Sequence, residues 1–345
     1  MKRPAPETIN VNEQENRGES IKMADLAIAA KPRGRLRFAF LLNLTLLGLL
    51  LLMWLALSVT TDSFMTTNNI VNLLRQASLW AVIAIGQTFV IITGGIDLSV
   101  GAVVGLSSTV VAMLLKANFP IWAAVGLTLL LGPVIGAFHA FGILKLGLPP
   151  FIMTLATLTA FRGIGLLMTN GATISGFPPE FTGFSRLSFL GIPSLFWVVI
   201  LVAIPSYILL HHSRWGRYIY AVGSNSEAAR LSGVHIARTI YLAYILSATL
   251  ACLAGVLTAS RIAIGVATTG EGWELQSIAS SVIGGTSLFG AVGSITGPLL
   301  GSMLLTTINN GANLLNVNPF WQRIITGFLI IAIVFFDQLR RRRKG

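Results

Sequence analysis

The chain has 345 residues, 54% of them hydrophobic and only 10% charged, with 24 Lys and Arg against 12 Asp and Glu. A soluble domain carries about 25% charged residues, so the composition excludes an ordinary soluble globule and favours a membrane bundle. The net charge of +12 does not mark a nucleic-acid binder, because the basic residues cluster between or beyond the apolar runs, in a positive-inside pattern.

Residues 1–35 are polar and mixed in charge (MKRPAPETINVNEQENRGES), without the short basic region and apolar core of a cleavable signal. They are expected to form a disordered cytoplasmic tail. The remainder reads as an all-α polytopic membrane bundle over 36–338, with about ten transmembrane helices of the ~20 residues that cross a ~30 Å core. A basic cytoplasmic tail over 339–345 follows. Lys31, Arg33, Arg35 and Arg37 precede the first span, Phe38–Leu57, and hold the N-terminus inside. The later spans are expected at Ala77–Thr93, Leu98–Leu115, Phe119–Leu144, Phe151–Thr169, Ile192–Leu210, Ile240–Ala259, Gln276–Leu288, Ile295–Ala312 and Arg323–Phe336. An even number returns both basic termini to the cytoplasm. Cys252, the single cysteine, lies within an apolar run and reads as a small buried hydrophobe, and no His/Cys set has metal-ligand spacing.

Between the second and third spans stands ITGGIDLSVGAVVG, which puts the carboxylate of Asp97 between long apolar runs, where an unsatisfied charge costs about 2.5–3.5 kcal/mol. A second break echoes it: GGIDLSVGAV at Gly94 resembles GGTSLFGAV at Gly284. Paired glycine interruptions are a pointer to a transporter's pathway, although chance resemblance of glycine-rich turns is the plainer account. The candidate pathway positions are Thr93, Gly94, Gly95, Asp97, Ser99, Arg162, Gly284, Gly285, Thr286 and Ser287, with the hydroxyls of Ser107 and Ser281. Aligned, the breaks place Asp97 opposite Ser287, and both residue types are strong N-caps. With the next helix expected from Leu98, a carboxylate accepting its free amides at the positive dipole end is worth about 1–2 kcal/mol. Asp97 is therefore read as a cap, with a proton or ion site as the alternative.

Among other polar groups in the spans, Arg162 could hydrogen-bond a hydroxyl-rich solute, snorkel outward or hold backbone carbonyls. His139 could face the pathway or donate to a neighbouring helix. Asn309, Asn310 and Asn313 could cap a helix or line an exit. Glu271, Trp273 and Glu274 fall in a segment expected as an outer loop, where they form an interfacial belt or a weak docking contact for a delivering protein.

The largest internal hydrophilic loop, 211–239, carries Arg214, Arg217, Arg230 and Arg238 and is expected on the cytoplasmic side. In GSNSEAARLSGV, Ser224 and Glu227 have capping-box spacing, Ala228, Ala229 and Arg230 favour helix, and Gly233 suits the left-handed terminus. So short a helix is marginal alone. It needs either a cytoplasmic partner or the protein's own spans to pack on.

At these residues a resemblance becomes specific. EAARLSG is similar to the E-A-A-x-x-x-G coupling-helix pattern of ATP-binding-cassette (ABC) importer permeases, and GGIDLSVGA resembles the ribose-type sugar permeases of that superfamily. LPPFIMTLATLTAFRG, IAIGVATTGEGWELQSIASSVIGGTSLFG and INNGANLLNVNPFWQ are similar to the same family, in order, from about Asn69 to Asp337. The resemblance implies the inner-membrane permease of a monosaccharide importer: a homodimer with cytoplasmic ATPase subunits and a periplasmic binding protein. It also implies that Ser224, Glu227, Ala228, Ala229, Arg230 and Gly233 couple to the ATPase, which binds ATP and Mg. This chain has no phosphate-loop motif and is expected to hold no cofactor and to catalyse no reaction. It departs from relatives at Gly136-Ala137-Phe138-His139-Ala140, where they commonly read G-x-x-N-G. An ion-coupled secondary transporter using Asp97 is the competing function. An intramembrane enzyme would need convergent acid and base groups that the spans lack.

Overall fold

A computed structural model describes residues 33–342. The tail expected over 1–35 lies outside the described residues as far as 32, and so do residues 343–345. The chain divides into two units, 1–42 and 43–345, and the first contributes only the start of helix α1 (Arg33–Thr60) to the described part.

Thirteen α-helices form among the described residues. After α1 come α2 (Thr67–Ile92), α3 (Val100–Lys116), α4 (Ile121–Lys145) and α5 (Pro150–Thr169). A loop with short helix α6 (Pro179–Arg186) leads to α7 (Ser194–Tyr207), which ends in a π turn at Ile208–His212. Then follow α8 (Arg214–Ser224), α9 (Ser226–Leu231), α10 (Ile236–Ile262), α11 (Trp273–Ile283), α12 (Thr296–Leu314) and α13 (Pro319–Arg342). Local chemistry sets the ends. Thr66 accepts the Asn69 amide before α2, and Pro150, whose missing N–H costs nothing there, opens α5.

Among the described residues, six helical segments are long and apolar enough to cross a membrane: 41–60, 67–92, 121–145, 150–169, 194–212 and 236–262. These six do not confirm the expected count of ten, and the span expected at Gln276–Leu288 is too short to cross. There α11 has 11 residues, about 16 Å at 1.5 Å per residue, half of a ~30 Å core. It ends at the glycine break. At the far end, α13 runs on through Arg342, so the basic tail expected from 339 begins inside a helix.

The most apolar window of α2 is 89% buried and that of α1 only 6%, so α2 is core and α1 peripheral. Glycines let the core helices touch backbone to backbone, the small-residue contact of membrane bundles. On α4, a Cβ at Gly132 or Gly136 would collide with the α10 backbone at Thr249 and Tyr244–Ile245. Gly86 of α2 lies on Ser247 of α10, and Gly255 of α10 lies on Val104 and Ser107 of α3. Buried Ile85, Phe89, Ala140, Ala243 and Tyr244 fill one part of the interior, and Val82, Val103, Ile135 and Ala251 another.

Strand β1 (Ile174–Ser175) pairs antiparallel with β4 (Ile264–Gly265), Ile174 opposite Gly265, and β2 (Ser188–Phe189) pairs with β3 (Ile192–Pro193). The segment after α10 does not stay at the helix ends. It runs back along α3, with Gly265 beside Ser108 and Ala112, the Ala267 carbonyl beside Gly105, and Gly270 beside Gly101.

Candidate functional site

The first break closes α2 with Gly94 N donating to Ile91 O at 2.9 Å and Gly95 N to Val90 O at 3.1 Å. Gly94 has φ +85°, the left-handed region open to glycine. At Gly95 a Cβ would stand 2.6 Å from the Tyr244 hydroxyl, so the chain passes close beneath α10 only without a side chain. Thr93 Oγ1 donates back to Val90 O at 2.7 Å.

Helix α3 starts at Val100, two residues later than the expected Leu98, and its cap position is Ser99, which makes no side-chain cap bond; the reading of Asp97 as the cap of this helix is corrected accordingly. Asp97 is fully buried. Its Oδ1 accepts the Ser99 amide at 3.0 Å and the Ser99 hydroxyl at 2.6 Å, and its Oδ2 accepts the Ser247 hydroxyl at 2.8 Å. These donors are neutral, and hydrogen bonds of this kind stabilise a carboxylate without a counter-ion. With the Gln87 amide turned to satisfy both groups, its nitrogen donates to Asp97 O at 3.0 Å and its oxygen accepts from Asp97 N at 3.2 Å. Thr154 of α5 donates to Ile96 O at 3.1 Å. His139 shares a 2.9 Å bond with Thr157 and lies between the rings of Phe161 and Tyr244, at 6.0 and 6.1 Å.

In the second break Gly284 and Gly297 pack so closely that a Cβ on either would meet the other's backbone, and Gly285 has φ +89°. Thr286 is buried. Ser287 accepts the Phe289 amide at 3.3 Å, the same i+2 turn that Asp97 makes with Ser99. Ser287 does not cap α12, however, because the break is longer than its counterpart. At that helix start Ser294 accepts the Gly297 amide at 3.1 Å, which corrects the alignment of Asp97 with Ser287 as equivalent N-caps. The carboxylate of this break is Asp337 of α13, which accepts the Ser287 hydroxyl and the Leu288 amide, both at 3.1 Å.

The two breaks meet. Ala291 N donates to Ile92 O at 2.9 Å, and Gly290 abuts the Gly94 nitrogen. Helix α8 joins them there: a Cβ on Gly223 would collide with the Ile92 carbonyl, and Tyr220 donates its hydroxyl to Gly293 O at 2.7 Å. Burial pushes the Tyr220 phenol above its ordinary pKa, so it stays a donor.

Helix α9 follows α8 at once. Its cap is Asn225, whose Oδ1 accepts the Ala228 amide at 3.0 Å; Ser224 is the last residue of α8. The expected Ser224–Glu227 capping box is corrected accordingly, since Asn225 is the first residue free of helical geometry. Glu227 instead forms a fully exposed ion pair with Arg230, which holds its carboxyl below the ordinary range. Gly233, at φ +80°, ends the helix as expected, with Val234 N donating to Ala229 O and Gly233 N to Arg230 O at 3.0 Å. Ala229, Ile219 and Val222 are buried in the bundle's hydrophobic interior, so the loop packs on its own spans, whereas Leu231 is 75% exposed.

Arg162 donates to Ala267 O at 2.9 Å and Thr269 O at 3.2 Å, holding the segment that descends along α3. That descent corrects the outer-loop placement of Glu271, Trp273 and Glu274. Glu274 lies against Gly101 in the first turn of α3, about 22 Å along the helix from Lys116. Of the other hydroxyls, Ser107 donates to Val103 O at 2.7 Å and Ser281 to Ala84 O at 3.1 Å. Asn69 and Asn310 exchange amide bonds of 3.1 and 2.7 Å, Asn309 donates to Leu305 O at 3.0 Å, and Gln322 donates to Asn313 at 2.8 Å. Sequence reasoning did not single out Gln87, Tyr220, Ser247, Ser294 or Asp337. Asp337, the last acidic residue before the terminal basic run, carried a legible signal.

Residues 69–334 match the family described as branched-chain amino acid transport system / permease component. The chain is 42% identical over 294 residues to the ribose import permease protein of Bacillus subtilis (strain 168), covering 85% of this chain and 91% of that protein. It is 37% identical over 307 residues to the ribose import permease protein of Escherichia coli (strain K12), covering 88% and 96%. To the D-allose transport system permease protein of the same strain it is 39% identical over 283 residues, covering 82% and 87%. No solved structure matches the chain.

Proposed function

The chain belongs to the branched-chain amino acid transport system / permease component family, and on that premise we propose that it forms the translocation pathway of an ABC importer for a neutral monosaccharide. The sugar class is supported by relatives named for ribose and D-allose import.

The observation that carries the mechanism is the junction of α8 with both glycine breaks, through Gly223 against Ile92 and Tyr220 on Gly293. Helix α9 continues from α8 and presents Glu227, Arg230 and Leu231 outward. In this reading a cytoplasmic ATPase grips α9, holding the ATP and Mg. Each displacement of α9 is delivered by α8 to the two breaks, which shift together because Ala291 and Ile92 are hydrogen-bonded. A periplasmic binding protein supplies the sugar, a second copy of the chain completes the transporter in the bacterial inner membrane, and both termini face the cytoplasm.

Co-purification tests the coupling role. Glu227→Lys puts two cations on one face of α9 and removes the ion pair. The ATPase is expected to be lost while the permease inserts at its normal level. An ATPase that co-purifies undiminished would contradict the assignment.

A further inference from the structure

Leu201, Ile204 and Ile208 stand three and four residues apart on one face of α7, and the bundle leaves all three exposed. In a segment long and apolar enough to cross a membrane, that face meets acyl chains. Tyr207 borders it, and its ring lies 4.6 Å from His211 and 5.6 Å from His212. Both histidines are exposed and belong to the π turn that closes the span. The lipid-facing surface therefore runs on into them.

Ser213 builds the corner that follows. Its Oγ donates to Leu209 O at 2.6 Å and accepts the Gly216 amide at 3.2 Å, so one hydroxyl ends the span and caps α8. Helix α8 buries Gly216, Ile219 and Val222 and leaves Arg214 and Arg217 exposed. Arg217 Nη1 donates to Ser213 O at 3.3 Å, which turns its guanidinium back to the corner. Trp215 and Tyr218 meet edge to face at 5.9 Å, and such aromatics favour the headgroup level.

Two guanidiniums and two imidazoles thus share residues 211–217, a stretch without a carboxylate. Among the described residues the one ion pair joins Glu227 to Arg230 on α9, so neither arginine of the corner is neutralised by this chain. Each guanidinium has five donors, and one carbonyl bond leaves Arg217 ample capacity for a phosphate. The charge calls for an anion, and its continuity with the exposed face of α7 says which kind.

We propose that the corner 211–217 is a binding site for an anionic phospholipid. Arg214 and Arg217 take the phosphate beside His211 and His212, and an acyl chain lies along Leu201, Ile204 and Ile208. The bound lipid steadies the start of α8, the helix that reaches both glycine breaks. The site needs only that α7 crosses the membrane, so it stands or falls apart from the importer reading. Under that reading it faces the cytoplasmic leaflet, whose anionic lipids attract such segments.

The test uses the full chain in vesicles of phosphatidylcholine and phosphatidylglycerol, with brominated chains on one lipid or the other. Ile204→Cys carries a fluorophore that bromine on the adjacent chain quenches; the native Cys252 is fully buried. Half-quenching is expected at a lower mole fraction of brominated phosphatidylglycerol than of brominated phosphatidylcholine. Arg214→Gln and Arg217→Gln should each raise the phosphatidylglycerol value about five-fold and leave the phosphatidylcholine value alone. Arg230→Gln, which removes the same charge from α9, should move neither. Equal quenching by the two lipids in the chain with both arginines would overturn the proposal, and so would a phosphatidylglycerol value unmoved by either Gln variant. If that value stays put while the ATPase no longer co-purifies, the two arginines belong to the ATPase contact instead.

Discussion

Asp97 illustrates how a buried carboxylate is held by position. A charge this deep is stabilised by three neutral donors, the Ser99 amide and the hydroxyls of Ser99 and Ser247. Asn keeps an oxygen for Ser99 and an amide for Ser247, which can reverse its role and accept. Asp97→Asn is therefore expected to retain folding and much of the uptake. Asp97→Leu strands the donors at about 1–3 kcal/mol each and should lose thermal stability and transport together. Equal, complete loss of uptake in both variants, with both folded, would favour a role for the charge itself. The turn around Asp97 was legible from Gly94 and Gly95, but its role as cap of the next helix was not met, because that helix begins at Val100 and Asp97 bonds Ser99 ahead of it. The bond to Ser247 was not legible, because nothing local to either residue encodes a contact across 150 positions.

Among the elements, the break-to-loop junction is the most constrained. Gly223 leaves no space for a side chain against Ile92. Gly223→Ala is expected to cost about 1–3 kcal/mol by overpacking and to uncouple ATP hydrolysis from uptake, measured as ATPase activity that no longer responds to the loaded binding protein. A fully coupled Gly223→Ala transporter would contradict that role. On α9, Glu227 titrates below its ordinary value because Arg230 hydrogen-bonds it. A depressed carboxyl stabilises above its unfolded pKa and loses that contribution as pH falls through the folded value. ATPase attachment should thus hold at neutral pH and weaken only in acid, as read by co-purification across a pH series. The α9 helix and its terminal Gly233 were legible in the sequence, but its cap was misplaced by one residue, since Ser224 and Asn225 are both good caps and only the path of α8 decides between them. The descent of residues 263–272 had a signal too. Gly101 and Gly105, four apart on α3, leave a groove for that backbone, but spacing alone does not say which segment fills it.

Over the whole molecule, hydropathy located the apolar runs because burial of each in lipid is a local property of composition. It could not separate a crossing helix from the half-helix α11, whose length is set by how far the preceding loop descends before helix begins. Nor could it show that two glycine breaks about 190 residues apart in sequence stand side by side, which is a fact of packing. The shared junction of both breaks with α8 is what ties the account to ATP-driven movement, and the driving force is what most directly tests it. Uptake of the imported sugar is to be measured in proteoliposomes carrying the permease, its ATPase and the binding protein. The account expects uptake that requires ATP, ignores an uncoupler and persists in Asp97→Asn. Uptake driven by a proton gradient without ATP, and abolished in Asp97→Asn, would contradict it.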